Sequence, residues 1–140
     1  MRGEVLTKAF AFLFGMGLIA GCGGDKVAGP STIPIKGKIE FTKGCNVKDL
    51  ANRSIVVEFQ SIEQPETKAF GEILDDGSFT MTTQVNDKGK PGVLAGSHRV
   101  RLNADESAAR FVSPKFLRYE TSGITVKVPP AGELVIKVWK

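Results

Sequence analysis

The sequence predicts an all-β fold, a seven-stranded antiparallel β-sandwich, and two observations support that prediction. Seven short runs alternate apolar and polar residues with a period of two, which is typical of strands with one buried face. Turn-forming clusters separate most of these runs, among them Asp75-Asp76-Gly77 and Pro129-Pro130-Ala131-Gly132. A chain of 140 residues with this many short strands favours two sheets packed face to face in one domain.

The predicted strands begin at residue 33 and continue to residue 140, so the sandwich is assigned to residues 33–140. In chain order the runs are IPIKGKIEF (33–41), RSIVVEFQS (53–61), TKAFGEIL (67–74), SFTMTTQ (78–84), SHRVRLNA (97–104), SGITVKV (122–128) and GELVIKVWK (132–140). Two connections are longer, residues 85–95 and residues 105–121. Loops on a rigid scaffold carry much of the binding function of proteins, so these two connections are the best places to expect it.

Residues 1–21 have the composition of a secretory signal peptide, predicted to be a signal helix ahead of the sandwich. Arg2 and Lys8 precede the uncharged run AFAFLFGMGLIA (9–20), which is shorter than the about 20 residues that span a bilayer. The stretch GGDKVAGPST (23–32) is rich in Gly, Pro and small polar residues, as flexible linkers are. Residues 22–32 are therefore predicted to form a tether that begins at Cys22.

Ile19-Ala20-Gly21-Cys22 resembles the bacterial lipobox, in which an aliphatic residue and small residues precede an invariant cysteine. The resemblance implies cleavage before Cys22, a diacylglycerol on its sulfur, and acylation of the new N-terminus by a fatty acid such as palmitate. The alternative is an ordinary signal peptide that ends near a cysteine. Two or three acyl chains would anchor the protein in a membrane of the bacterial cell envelope, with the domain in the periplasm or at the cell surface. Gly23, where an Asp would signal retention, favours the outer membrane over the inner.

Short motifs occur in a fixed order along the predicted sandwich. They read IKGKI (35–39), VEF (57–59), GEILDDGSF (71–79), AGSHRV (95–100), SPKF (113–116) and TSGITVKV (121–128). This order resembles small bacterial lipoproteins with a transthyretin-like, carboxypeptidase-regulatory-like domain. The resemblance implies a β-sandwich in the cell envelope and no particular reaction. His98 stands where that pattern usually has an aromatic residue, and its parity with Val100 and Leu102 predicts an inward, hydrogen-bonded ring.

The residue inventory argues against an enzyme, so we expect no catalytic residues, no cofactor and no metal. Hydroxyisourate hydrolases of the transthyretin type use several histidines, and intradiol dioxygenases hold iron with two Tyr and two His, whereas this chain has one His and one Tyr. Cys45 and His98 form the one Cys/His pair left once Cys22 is acylated, and Cys45 is expected to be a small turn or core residue. The stretch DDGSF (75–79) lacks the further oxygen ligands of a calcium loop, and its sequence favours a turn.

The net charge of +4 is mild and its Lys and Arg residues are scattered, which excludes nucleic acid as the expected partner. A partner surface is predicted from Phe116 and Tyr119 on the second long loop and from Trp139, which has an outward position in the alternation of the last strand. The alternative is that the loop folds back and caps an open edge of the core. The predicted function is a lipid-anchored structural or binding module that contacts an envelope protein or a glycan. The alternative function is an accessory domain of an envelope enzyme such as a hydrolase.

Overall fold

The protein is mostly β, with two sheets that share one hydrophobic core, as in an all-β sandwich. The computed structural model describes residues 29–44 and 46–140. The predicted signal peptide, Cys22, the first part of the predicted tether and Cys45 lie outside these residues. Within the described chain, no helix is long and apolar enough to cross a membrane.

Nine strands and three short α-helices occur in the described residues. The strands are β1 (Lys36–Lys43), β2 (Val56–Ser61), β3 (Lys68–Glu72), β4 (Ser78–Thr80), β5 (Thr82–Val85), β6 (Lys88–Pro91), β7 (Gly96–Asn103), β8 (Ile124–Val128) and β9 (Leu134–Trp139). The helices are α1 (Val47–Ala51), α2 (Glu106–Ala109) and α3 (Tyr119–Ser122), with a 3₁₀ turn at Pro114–Leu117. The second long loop of the prediction is thus built from three short helical turns.

The strands form a three-stranded sheet in the order β4-β1-β9 and a six-stranded sheet in the order β6-β5-β3-β2-β7-β8. One pair departs from the antiparallel arrangement that the sequence predicts, because β1 and β9 run parallel, with Gly37 opposite Leu134. The period-two pattern reports which face of a strand is buried and carries no information on its direction. The direction of β9 is set by the connection at residues 129–133, which takes the chain from one sheet to the other.

Two features raise the strand count from the predicted seven to nine. The run SFTMTTQ changes sheet at Met81, whose N–H donates to the carbonyl of Ile35, so that β4 pairs with β1 and β5 pairs with β3. Phe79, Met81 and Thr83 are all buried, so the alternation stays regular across this change. Strand β6 has no apolar alternation and forms instead because Asn86 and Asp87, both at positive φ, make a two-residue hairpin turn.

The core combines buried side chains from both sheets, with Phe79 and Ile136 from the smaller sheet and Phe59 and Val100 from the larger. Gly37 has a packing role here, because a Cβ at this position would overlap the ring of Phe79. His98 points into this core as predicted, at 2% exposure, and its Nε2 donates to the carbonyl of Leu94 at 2.9 Å. Its other ring nitrogen has no hydrogen-bond partner among the described residues.

Residues 29–32, the last part of the predicted tether, lie along β6. Lys90 donates from Nζ to the carbonyl of Pro30 at 2.7 Å, and Thr32 donates from its hydroxyl to the carbonyl of Pro91 at 2.7 Å. Ile33 then forms an antiparallel bridge with Val93. These contacts fix where the chain enters the domain, at the end of the fold where β1 begins.

Candidate functional site

A buried carboxylate lies on the outer face of the six-stranded sheet, at the centre of β2. Val57 and Phe59 point into the core with no exposure, so the intervening Glu58 points away from it. Glu58 is nevertheless only 1% exposed. The pairing of β2 places it between Phe70 of β3 and Arg101 of β7.

Four side chains from three parts of the fold surround the Glu58 carboxylate, and we call these five residues the Glu58 cluster. Arg101 donates from Nη2 to both oxygens, at 3.1 and 2.9 Å, and Asn103 donates from Nδ2 to Oε2 at 2.8 Å. Tyr119 donates from its hydroxyl to Oε1, and Lys68 Nζ lies 3.5 Å from the same oxygen. Both oxygens therefore have several partners, which is what a buried carboxylate needs to remain charged.

The pKa values of Glu58 and Tyr119 both shift away from neutral pH, so each group keeps one protonation state there. Burial raises the pKa of Glu58, but the hydrogen bonds from Tyr119 and Arg101 and the charges of Arg101 and Lys68 outweigh burial, so that this pKa lies below its ordinary value. Burial raises the pKa of the Tyr119 hydroxyl, and the hydrogen bond to Glu58 raises it further. At neutral pH the carboxylate is thus ionised and the hydroxyl protonated. Neither group is poised to exchange a proton with a substrate.

The segment that carries Tyr119 is held over the fold at several points, and we call residues 105–123 the cap segment. Asp105 begins it as the N-cap of α2, accepting from the backbone N–H of Ala108 at 2.8 Å. In the middle, the N–H of Ser113 donates to the carbonyl of Trp139 at 2.9 Å. Gly123 ends α3 in the left-handed region, at φ 69°. These contacts give the cap segment a defined conformation over the fold.

The structure brings together two of the three residues that the sequence assigns to a partner surface and places the third elsewhere. Phe116 is buried at 1% exposure, and its ring packs edge-on against Trp139 with the ring centroids 4.7 Å apart. Trp139 is half-buried. Tyr119, also half-buried, lies instead in the Glu58 cluster. The placement of Phe116 matches the alternative in which the second long loop folds back onto the core.

Glu58 and Arg101 are the site residues that sequence reasoning missed. Both occupy polar positions of alternating strands, which ordinarily face solvent. Their opposite charges on two predicted strands are a signal for cross-strand pairing. That signal is usable only once the register is known, and the two residues are 43 positions apart.

Residues 29–44 and 46–140 contain no group of three or more His, Cys, Asp or Glu side chains that could hold a metal ion. No protein-family model, curated protein or solved structure matches the chain. The functional assignment therefore rests on the geometry of the described residues and on the sequence motifs.

Proposed function

We propose that the protein is a lipid-anchored lipoprotein of the bacterial cell envelope, whose β-sandwich is a binding module without catalytic activity. The observation that carries this proposal is the Glu58 cluster. A buried, fully hydrogen-bonded carboxylate holds the cap segment in one place on the sheet. Polar networks of this kind favour one defined arrangement, and a pre-ordered surface loses less conformational entropy when a partner binds.

The proposed sandwich is of the transthyretin-like, carboxypeptidase-regulatory-like type. The order of the motifs between residues 33 and 128 supports this assignment, and so do the two sheets around one core. The nine strands differ from the seven predicted runs in two ways, since one run divides into β4 and β5 and β6 is an addition. An experimental structure that superposes on such domains would establish the type.

The anchor is assigned to Cys22 because of the lipobox motif and the signal-peptide composition that precedes it. Expressed in a bacterium fed labelled palmitate, the wild-type protein should carry label and stay with the membranes after a detergent-free wash. Cys22→Ala should lose both properties. Cys45→Ala is the matched control, because it removes the other cysteine and should keep the label. Membrane retention of Cys22→Ala would contradict the anchor.

The binding role is tested by retention on immobilised envelope glycan and by pull-down from an envelope extract. Tyr119→Phe loosens the cap segment and should weaken retention, whereas Glu72→Ala, which removes an exposed carboxylate on β3, should not. A hydrolase that copurifies with the wild type and is lost with Tyr119→Phe would favour the accessory-domain alternative. Turnover of glycan or peptide substrates by the purified protein would overturn the non-catalytic proposal.

A further inference from the structure

A group of cations surrounds one half-buried aromatic ring of the cap segment. The guanidinium carbon of Arg53 lies 3.6 Å from the ring centroid of Phe111, and that of Arg110 lies 5.0 Å from it. Lys140 Nζ lies 5.9 Å from the same centroid. We call these four residues the Phe111 cluster. The ring stays in place because it packs against the core.

A fourth cation extends this cluster across the neighbouring rings. Lys115 Nζ lies 4.7 Å from the ring centroid of Trp139 and 5.3 Å from that of Phe116. The two groups of rings are adjacent, because the N–H of Ser113, two residues after Phe111, donates to the carbonyl of Trp139. Cations thus line a continuous surface made by the cap segment, Arg53 and the end of β9.

In the part of the chain that the structure describes, these cations form no ion pair with a carboxylate within 4 Å. Among the described residues, both ion pairs within 4 Å involve Glu58, and neither includes Arg53, Arg110 or Lys115. Asp49 of α1 and Asp105, the N-cap of α2, accept hydrogen bonds from backbone N–H groups at the starts of these helices. The aromatic rings therefore hold the cations in place, and no acceptor in residues 29–44 or 46–140 forms a hydrogen bond with their side-chain N–H groups.

Such an arrangement suits oxyanions. The planar guanidinium of an arginine presents a fork of N–H donors that matches two oxygens of a carboxylate or phosphate. Several like charges near one ring also repel one another, so a bound anion relieves an unfavourable interaction. Because the cations are spread over adjacent rings, a chain of anionic groups would engage more of them than a single small ion could.

The Phe111 cluster lies away from the tether. The tether enters beside β6, at the end of the fold where β1 begins, whereas Trp139 pairs with Lys43 at the end of β1. Eight residues of β1 at about 3.3 Å each separate the two ends by roughly 25 Å. If Cys22 carries the proposed lipid, the membrane is at the tether end, and the Phe111 cluster can face away from it.

We propose that the Phe111 cluster, together with Lys115, binds the carboxylate or phosphate groups of an acidic polymer. This polymer would lie in the compartment that surrounds the domain, the periplasm or the cell surface. This proposal rests on the proposed function for the orientation of the domain, and it names the chemistry of the partner. Arg53 and Arg110 supply the ordered guanidinium groups, and Lys115 supplies a charge further along the surface.

The test uses the full chain in detergent with two labelled polyanions, polygalacturonate for carboxylates and long-chain polyphosphate for phosphates. Dextran serves as the neutral control. The protein should bind at least one polyanion, with an affinity that falls as salt rises, and should not bind dextran. The double variant Arg53→Gln/Arg110→Gln should bind about tenfold more weakly or worse. Phe111→Leu, which keeps every charge, should lose about threefold because its cations lose their platform.

The matched control is Lys36→Gln/Lys88→Gln, which removes two exposed cations near the tether end and should change affinity by less than about twofold. An equal loss in both double variants would overturn the site, because attraction would then depend on net charge alone. Absence of binding to both polyanions would also overturn it. Tighter binding to phosphatidylglycerol vesicles than to either polymer would show that the partner is a membrane. Because these measurements do not depend on lipid labelling of Cys22, failure of the anchor and failure of this site are distinguishable.

Discussion

The cap segment takes part in two clusters that combine cations with an aromatic ring, and they differ in one component. In the Glu58 cluster, the guanidinium of Arg101 lies 4.8 Å from the ring centroid of Tyr119 and also pairs with a carboxylate. In the Phe111 cluster, the guanidinium of Arg53 lies 3.6 Å from the ring centroid, and no carboxylate of the described residues lies within 4 Å of it. A cation over a ring is therefore compatible with opposite roles. The presence of the carboxylate decides whether the charge is used within the fold or remains available to a ligand.

This difference implies that the two clusters contribute differently to stability. Glu58 is buried, so removing any partner leaves polar groups unpaired in a site with little water. The cations of the Phe111 cluster include exposed residues such as Arg110 and Lys140, which water can solvate when a neighbour is lost. Stability measurements on matched variants should therefore separate the two clusters.

The largest effect is expected for Glu58→Ala. This change leaves Arg101, Asn103 and Tyr119 without their shared acceptor, and we expect the free energy of unfolding to fall by about 3 kcal/mol. Urea unfolding followed by tryptophan fluorescence would measure it, since Trp139 packs on the cap segment. Glu72→Ala is the control, because its carboxylate is exposed, and we expect a change within about 0.5 kcal/mol. Similar losses in the two variants would mean that the cluster does not hold the fold together.

Tyr119→Phe should have the next largest effect, a loss of about 1.5 kcal/mol. The variant keeps the ring, and with it the contacts to Arg101 and Lys68, but removes the hydrogen bond to Glu58. Hydrogen exchange should show faster exchange of amides in residues 105–123 and little change in β2. Unchanged exchange in the cap segment would show that its packing through Phe116 is sufficient to order it.

The pH dependence of stability gives a third comparison. The pKa of Glu58 is lowered in the folded state, so its contribution is complete above about pH 4.5 and is lost as pH falls through the lowered value. The pKa of Tyr119 is raised, so its contribution is complete below about pH 10 and is lost as pH rises toward the folded value. Urea midpoints across this range should fall at both ends. Glu58→Gln should flatten the acid side, where Asp76 and Asp105 still contribute in both proteins.

Much of the fold could be predicted from the sequence because burial leaves a local signal. Inward pairs such as Val57 with Phe59 and Val100 with Leu102 mark β2 and β7 without knowledge of their partners. The change of sheet at Met81 leaves no such signal, because the residues on both sides of it face the same core. The turn at Asn86-Asp87 does leave a local signal, because both residue types favour turns, although the stretch around them has no apolar alternation.

The candidate site was less predictable because it depends on pairing between distant residues. Tyr119 and Trp139 stand out as aromatics at positions where polar residues are common. Glu58, the partner of Tyr119, does not stand out in the same way, because a glutamate at an outward strand position ordinarily faces water. Only the register of β2 with β7 places Glu58 opposite Arg101, and only the path of the cap segment brings Tyr119 over them. Each of these contacts spans 43 or 61 positions in the chain, beyond any local pattern.

The smallest effect is expected for Arg53→Gln, and it is the most direct test of the comparison. Losing a cation over a half-buried ring at the surface costs about 0.5–1 kcal/mol, but removing one of several neighbouring cations relieves repulsion of similar size. We therefore expect a net change within about 0.5 kcal/mol at low salt, against a loss of about 2 kcal/mol for Arg101→Gln, where Glu58 loses the cation whose Nη2 donates to both of its oxygens. Raising the salt concentration should stabilise the wild type more than Arg53→Gln, because screening weakens the repulsion that the variant has already lost. A large fall in the free energy of unfolding for Arg53→Gln, independent of salt, would contradict this expectation. It would show that Arg53 stabilises the fold, as Arg101 does, and is not available to a ligand.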